Sequence, residues 1–112
     1  MQATRQQKIA RLMQKDLGDI FIRYAKKIGN NLLISVSEVR ISPDLSIAHI
    51  YLSIFPSQRA EEILNKVEED TRTIRGELGN LEHNQLRIIS ELNFHIDTTL
   101  DRLDAIDQLL GK

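Results

Sequence analysis

From Ala48 to Ile54 the chain alternates strictly, with Ala48, Ile50, Leu52 and Ile54 in one phase and His49, Tyr51 and Ser53 in the other. A period of two marks a strand with one buried face. Upstream, Ile34 and Val36 hold one phase while Val39 and Ile41 take the opposite one. Such a phase change marks a bulge, or a strand covered on both faces. Between the two runs lies Ser42-Pro43-Asp44-Leu45-Ser46, where proline presets φ and aspartate bonds nearby backbone. An antiparallel hairpin is the natural product.

Helical periodicity surrounds this hairpin. Ile9, Leu12, Met13, Leu17, Ile20, Phe21, Tyr24 and Ile28 recur at steps of three and four, predicting an amphipathic helix from about Thr4 to Ile28. Gly29-Asn30-Asn31 stops it, since both residue types tolerate the left-handed conformation common at helix ends. After the hairpin, Pro56-Ser57 offers a helix N-cap. Ile63, Leu64, Val67, Thr71, Ile74, Leu78 and Leu81 then continue a helical stripe, as one long helix or two meeting at a kink near Asp70-Thr71-Arg72. Gly79-Asn80 is its expected end. A third strand spans about Glu91 to Asp97, with Leu92, Phe94 and Ile96 on one side. Thr98 or Thr99 caps a short last helix with Leu100, Leu103, Ile106, Leu109 and Leu110 as its apolar face. The fold class is α+β: helix, strand, strand, kinked helix, strand, short C-terminal helix. At 112 residues with no linker-like tract, residues 1–112 are expected to form one domain.

Composition narrows the function classes. The chain has no cysteine, which removes disulfides, thiolate catalysis and cysteine-based zinc sites. No run of some 18 apolar residues spans a bilayer, and Met1-Gln2-Ala3-Thr4-Arg5-Gln6-Gln7-Lys8 lacks the apolar core of a secretory signal. These features read as a cytoplasmic protein without a membrane partner. Net charge is −1, yet it divides unevenly. Up to Arg40 there are eight basic and three acidic side chains, a net of +5, and the remainder carries −6. An asymmetry between halves says more about partners than the total does.

The basic half concentrates its charge. At about 100° per residue, Arg5, Lys8, Arg11 and Lys15 fall in one sector of the first helix, opposite its apolar face, with no acid among them. Such a stripe suits phosphate; the ordinary alternative is a solvated face. Gly76-Glu77-Leu78-Gly79 spells the phosphate-clamping loop of KH domains, but it sits inside a periodic run, where a helix C-terminus explains it better. Tyr51 and Phe55 suit base stacking from a sheet, although packing against the core is their commoner fate. His49, His83 and His95 lie far apart and share no ligand spacing, so neither a metal nor another cofactor is expected. Asp101, Asp104 and Asp107 read as a solvated helix face, and no serine, histidine and acid grouping suggests a nucleophile. The residues describe no enzyme.

Three blocks, in order, carry a resemblance. They are the hairpin with its Ser42-x-Asp44-Leu45 turn, Ile74-Arg75 with Leu78, and Leu86-Arg87 followed by Glu91-Leu92-x-Phe94. Together they resemble the ribosome-binding factor A family over nearly the whole chain. The resemblance implies a type II KH-like fold, binding as a monomer to the small ribosomal subunit and its ribosomal RNA, late pre-rRNA maturation, and a link to cold adaptation. On that reading the RNA-binding residues are Arg5, Lys8, Arg11 and Lys15 with Arg72, Arg75 and Arg87 near the kink. Arg75 and Arg87 are the specificity candidates, because a guanidinium pairs two donors with phosphate and also stacks on bases.

Two departures from the family bear on the site. Asp70-Thr71-Arg72 stands where the family has Ala-x-Gly, so the Asp70 carboxylate is expected to repel phosphate with Arg72 compensating, unless Asp70 pairs with a neighbouring arginine on a solvated helix face. Ser90 stands where a proline is usual. A reading from another class also fits the charge division: a non-enzymatic protein–protein adaptor whose acidic second half docks a basic partner.

Overall fold

A computed structural model of the chain describes residues 4–29, 31–82 and 89–97. The C-terminal helix expected from Leu100 to Leu110, Arg87 and His83 lie outside the described residues. The first helix, α1 (Arg5–Ile28), begins where Thr4 and Gln7 satisfy each other's backbone. The Gln7 N–H donates to Thr4 Oγ1 at 3.1 Å and the Thr4 N–H to Gln7 Oε1 at 3.0 Å, a capping box that supplies two otherwise orphan donors. Ile9, Met13, Leu17, Ile20, Phe21 and Ala25 form its buried stripe. Gly29 does not end the helix in a left-handed turn: its φ of −175° is extended backbone. Asn31 takes the left-handed conformation instead, with φ of 55°.

Strands β1 (Leu33–Ile41) and β2 (Ile47–Phe55) form the expected antiparallel hairpin. The register steps between Val36 and Glu38, leaving Ser37 as the extra residue of a bulge, which is why Val39 and Ile41 change phase and still point inward. Within the turn, Ser42 Oγ, Ser46 Oγ and the Ser46 N–H all donate to Asp44 Oδ1. Those bonds hold the Asp44 carboxyl well below the usual carboxylate range.

The third strand, β3 (Glu91–Ile96), pairs parallel to β2, giving a mixed sheet of order β1-β2-β3. A parallel return needs a long crossover, and two helices supply it. After a single 3₁₀ turn, Ser57–Arg59, come α2 (Ala60–Glu69) and α3 (Thr71–Glu82), with Asp70 alone between them. The expected cap at Ser57 is not used, because this residue opens the 3₁₀ turn. α3 also continues past Gly79 to Glu82.

The three described α-helices cover one face of the sheet. Ala48, Ile50, Leu52 and Ile54 of β2 and Leu92 and Phe94 of β3 meet the helices in one core. Phe94 sets its ring edge-on to Phe21 of α1, with centroids 5.8 Å apart. No described helix covers the other face of the sheet, which carries His49, Tyr51, Phe55 and His95.

Candidate nucleic-acid interface

A cleft of about 540 Å³ runs between α3 and β3, lined by Thr71, Arg72, Arg75, Gly76, Ile89, Glu91 and Leu92. Two of the sequence-predicted arginines meet there. Arg72 is exposed and forms no ion pair with a described residue. Arg75 reaches across the cleft, its Nε donating to the Ser90 carbonyl at 3.1 Å and its Nη2 to the Ile89 carbonyl at 2.5 Å. A guanidinium has five N–H donors, so these bonds orient Arg75 and leave others for an acceptor in the cleft. Ser90, in place of the family proline, is buried and its hydroxyl donates to the Leu45 carbonyl at 2.7 Å. The segment entering β3 is thus tied to the hairpin turn and to α3 at once.

Gly76 and Gly79 are both helical, so Gly76-Glu77-Leu78-Gly79 is not a clamping loop. Gly76 opens the wall of the cleft, and a Cβ added there would meet nothing within 4 Å.

The α1 stripe occupies the opposite side. Arg5, Lys8, Arg11 and Lys15 are all exposed, and none forms an ion pair with a described residue. Their helix is tied to β1: Gln6 Nε2 donates to the Ile41 carbonyl at 2.9 Å and Gln14 Nε2 to the Val36 carbonyl at 3.2 Å. Since β1 and β3 are the two edges of the sheet, stripe and cleft flank it from opposite sides. The fold therefore brings Arg72 and Arg75 together and keeps the four α1 cations as a separate group.

Asp70, the departure at the kink, is already engaged. The Tyr24 hydroxyl donates to Asp70 Oδ2 at 2.8 Å, and Lys66 Nζ lies 3.6 Å from the same oxygen. Burial, reinforced by that bond and the nearby acid charges, pushes the Tyr24 phenol far above its ordinary range. The carboxylate clamps α1 to the α2–α3 junction and its partners are a tyrosine and a lysine, not an arginine. Tyr24→Phe is expected to cost about 1 kcal/mol of stability. In a double-mutant cycle with Asp70→Ala the two changes should couple by a similar amount, roughly 1 kcal/mol. Urea unfolding of the four proteins measures this, and strictly additive losses would show that the bond contributes nothing.

On the open face, Tyr51 and Phe55 are not core residues. Phe55 is 67% exposed, and Tyr51 stacks on His95 with centroids 5.0 Å apart. His49 and His95, distant in sequence, stand with Nδ1 and Nε2 only 3.0 Å apart. Parallel pairing of β3 with β2 brings them together, and no spacing along the chain announces it.

Among the described residues no helix is long and apolar enough to cross a membrane. One helix, a hairpin, a two-helix crossover and a parallel third strand, with cations beside the helix–strand cleft, define a type II KH-like domain. Comparison with known proteins agrees. A family model described as Ribosome-binding factor A matches residues 5–110. The Ribosome-binding factor A of Cytophaga hutchinsonii is 39% identical over 112 residues, covering 100% of this chain and 84% of its own. That of Flavobacterium johnsoniae is 43% identical over 112 residues, covering 99% and 86%. The chain belongs to the ribosome-binding factor A family. The crystal structure of ribosome-binding factor A from Thermus thermophilus superposes with a TM-score of 0.67 at 20% identity, covering 83% of this chain and 97% of that one. A homology model of the same Thermus protein, fitted into the cryo-EM map of a 30S complex, superposes at 0.61 with 20% identity, covering 80% and 91%. At that identity the two likenesses speak for the fold.

Proposed function

We propose that this chain is a non-enzymatic assembly factor that binds the small ribosomal subunit through ribosomal RNA and supports late pre-rRNA maturation. The observation that carries the reading is the exposed stripe Arg5, Lys8, Arg11 and Lys15, with no acid between its first and last members, on a domain of this family. Cations with no ion-pair partner among the described residues bind phosphate by releasing its counterions. Arg72 and Arg75 add a second contact at the cleft, where the carbonyl bonds of Arg75 lower the entropy lost on binding. Arg87 belongs to the same proposed set.

Replacing Lys8 and Arg11 with glutamate is expected to weaken co-sedimentation with purified small subunits at least tenfold at low salt, with a smaller effect as salt rises. Thermal stability should move by less than about 0.5 kcal/mol, as for most exposed substitutions. Unchanged binding by the folded double variant would remove the stripe from the interface.

The adaptor reading keeps one observation in its favour: Glu61, Glu62, Glu68 and Glu69 are all exposed on α2. Naked ribosomal RNA separates the two. An RNA-binding domain retains affinity for it, whereas an acidic adaptor binds only the subunit with its basic proteins in place.

A further inference from the structure

On the open face of the sheet, His49 of β2 and His95 of β3 are diagonal neighbours, their strand partners being Asn93 and Tyr51. His49 Nδ1 and His95 Nε2 face each other at 3.0 Å, with ring planes inclined by 33°. In the free protein one of these nitrogens donates its N–H and the other accepts. Tyr51 stacks on His95, its ring inclined by 26°, and Arg40 lies over Tyr51 at 5.7 Å from the ring centre. The second imidazole is therefore held in place by ring contacts before any ligand arrives.

We propose that His49 and His95 form a two-imidazole chelate for a late first-row divalent cation, Ni(II) or Cu(II). At a metal–nitrogen distance of about 2.1 Å, two ligands at right angles stand about 3.0 Å apart and two at the tetrahedral angle about 3.4 Å. The observed 3.0 Å separation matches the right-angle arrangement. That geometry belongs to tetragonal or octahedral Ni(II) and Cu(II), which also lead the affinity order for imidazole. Mg²⁺ and Ca²⁺ prefer oxygen and are excluded as occupants. Among the described residues no group of three histidine or acidic side chains is placed to hold a metal, so water completes the coordination. On binding, the shared N–H moves to the outer nitrogen of its own ring, and both rings turn by some tens of degrees so that the two lone pairs swing off the N···N line and converge on the metal. The ion would bridge the two parallel strands.

The test uses untagged, chelator-treated full-length protein titrated with NiCl₂ and with CuSO₄, followed calorimetrically, and for copper by electron paramagnetic resonance. One ion per chain is expected, with the hyperfine pattern of two imidazole nitrogens and a raised melting temperature in the parent protein. His49→Gln and His95→Gln should each weaken binding at least about tenfold. MgCl₂ should give no heat. Absence of saturable uptake, a nitrogen pattern other than two imidazoles in the parent protein, or binding that survives both His49→Gln and His95→Gln would overturn the assignment. The parent spectrum decides the matter even if a variant misfolds.

Discussion

Phe94→Ala is expected to cost roughly 3–5 kcal/mol of folding stability, the usual loss for deleting a buried aromatic ring. Phe94 is 6% exposed and points from β3 into the helical layer. There its ring meets Phe21 edge-on, and Phe21 meets Tyr24 in the same way at 5.8 Å. Such pairs contribute about 0.5–1.5 kcal/mol beyond the area they bury. Against a total stability of about 5–15 kcal/mol the loss is large, and the melting midpoint should fall by about 10 °C or more. Thermal and urea unfolding followed by circular dichroism measure it; a midpoint within a degree or two of the parent would place Phe94 outside the core. The same change should impair subunit binding indirectly, because β3 follows the Ile89 and Ser90 carbonyls that orient Arg75. A binding loss with a collapsed midpoint thus differs from that of the Lys8 and Arg11 double variant, which spares stability.

How far the chain could be read in advance depended on the range of the interaction involved. The β2 alternation was legible because one face is buried and the other is not, so the period of two survives in the residue types. The phase change between Val36 and Val39 was legible for the same reason, as a bulge or a strand covered on both faces, and the register resolves it as a bulge at Ser37. The α1 stripe was legible because a helix maps sequence onto angle without help from the rest of the fold. Local turn chemistry proved less certain. Gly29 has the freedom for a left-handed stop, yet Asn31 takes that conformation. Ser57 can cap a helix, yet a 3₁₀ turn begins there. Gly79 invites a helix end, yet α3 continues to Glu82.

What sequence reasoning missed depends on the crossover. Nothing local says that β3 returns beside β2 and parallel to it, so nothing local joins His49 to His95. The Arg75 bonds to backbone carbonyls left no trace either, because a carbonyl acceptor has no residue identity. Asp70 is an intermediate case: pairing with a neighbouring arginine was one of two readings, but identifying Tyr24 required knowing how α1 crosses the α2–α3 junction.

The second large effect belongs to a buried acid. Glu82, the last residue of α3, is fully buried, and among the described residues neither of its oxygens finds a hydrogen-bond partner of normal geometry. Burial, with the Asp16 carboxylate of α1 adding like charge, pushes its carboxyl from 4.5 to about 8. Folded protein therefore keeps this proton over a range in which the unfolded chain has lost it. Where the native state binds more protons, stability falls as pH rises. Glu82's contribution is accordingly greatest below about pH 4.5, declines through the interval up to about pH 8, and is flat above it. Glu82→Gln retains the shape and cannot ionise, so it is expected to remove that slope and to be more stable than the parent at pH 8 by about 1–3 kcal/mol. Near pH 4.5 the two proteins should be nearly equal, because the parent residue is then neutral as well. Urea midpoints of both proteins at pH 4.5, 6.5 and 8 provide the comparison, and taking their difference cancels the pH dependence of groups that do not interact with Glu82. Parallel curves would mean that Glu82 is ionised in the folded state and stabilised by a partner. A parent that gains on the variant as pH rises would reverse the sign and place a cation beside it.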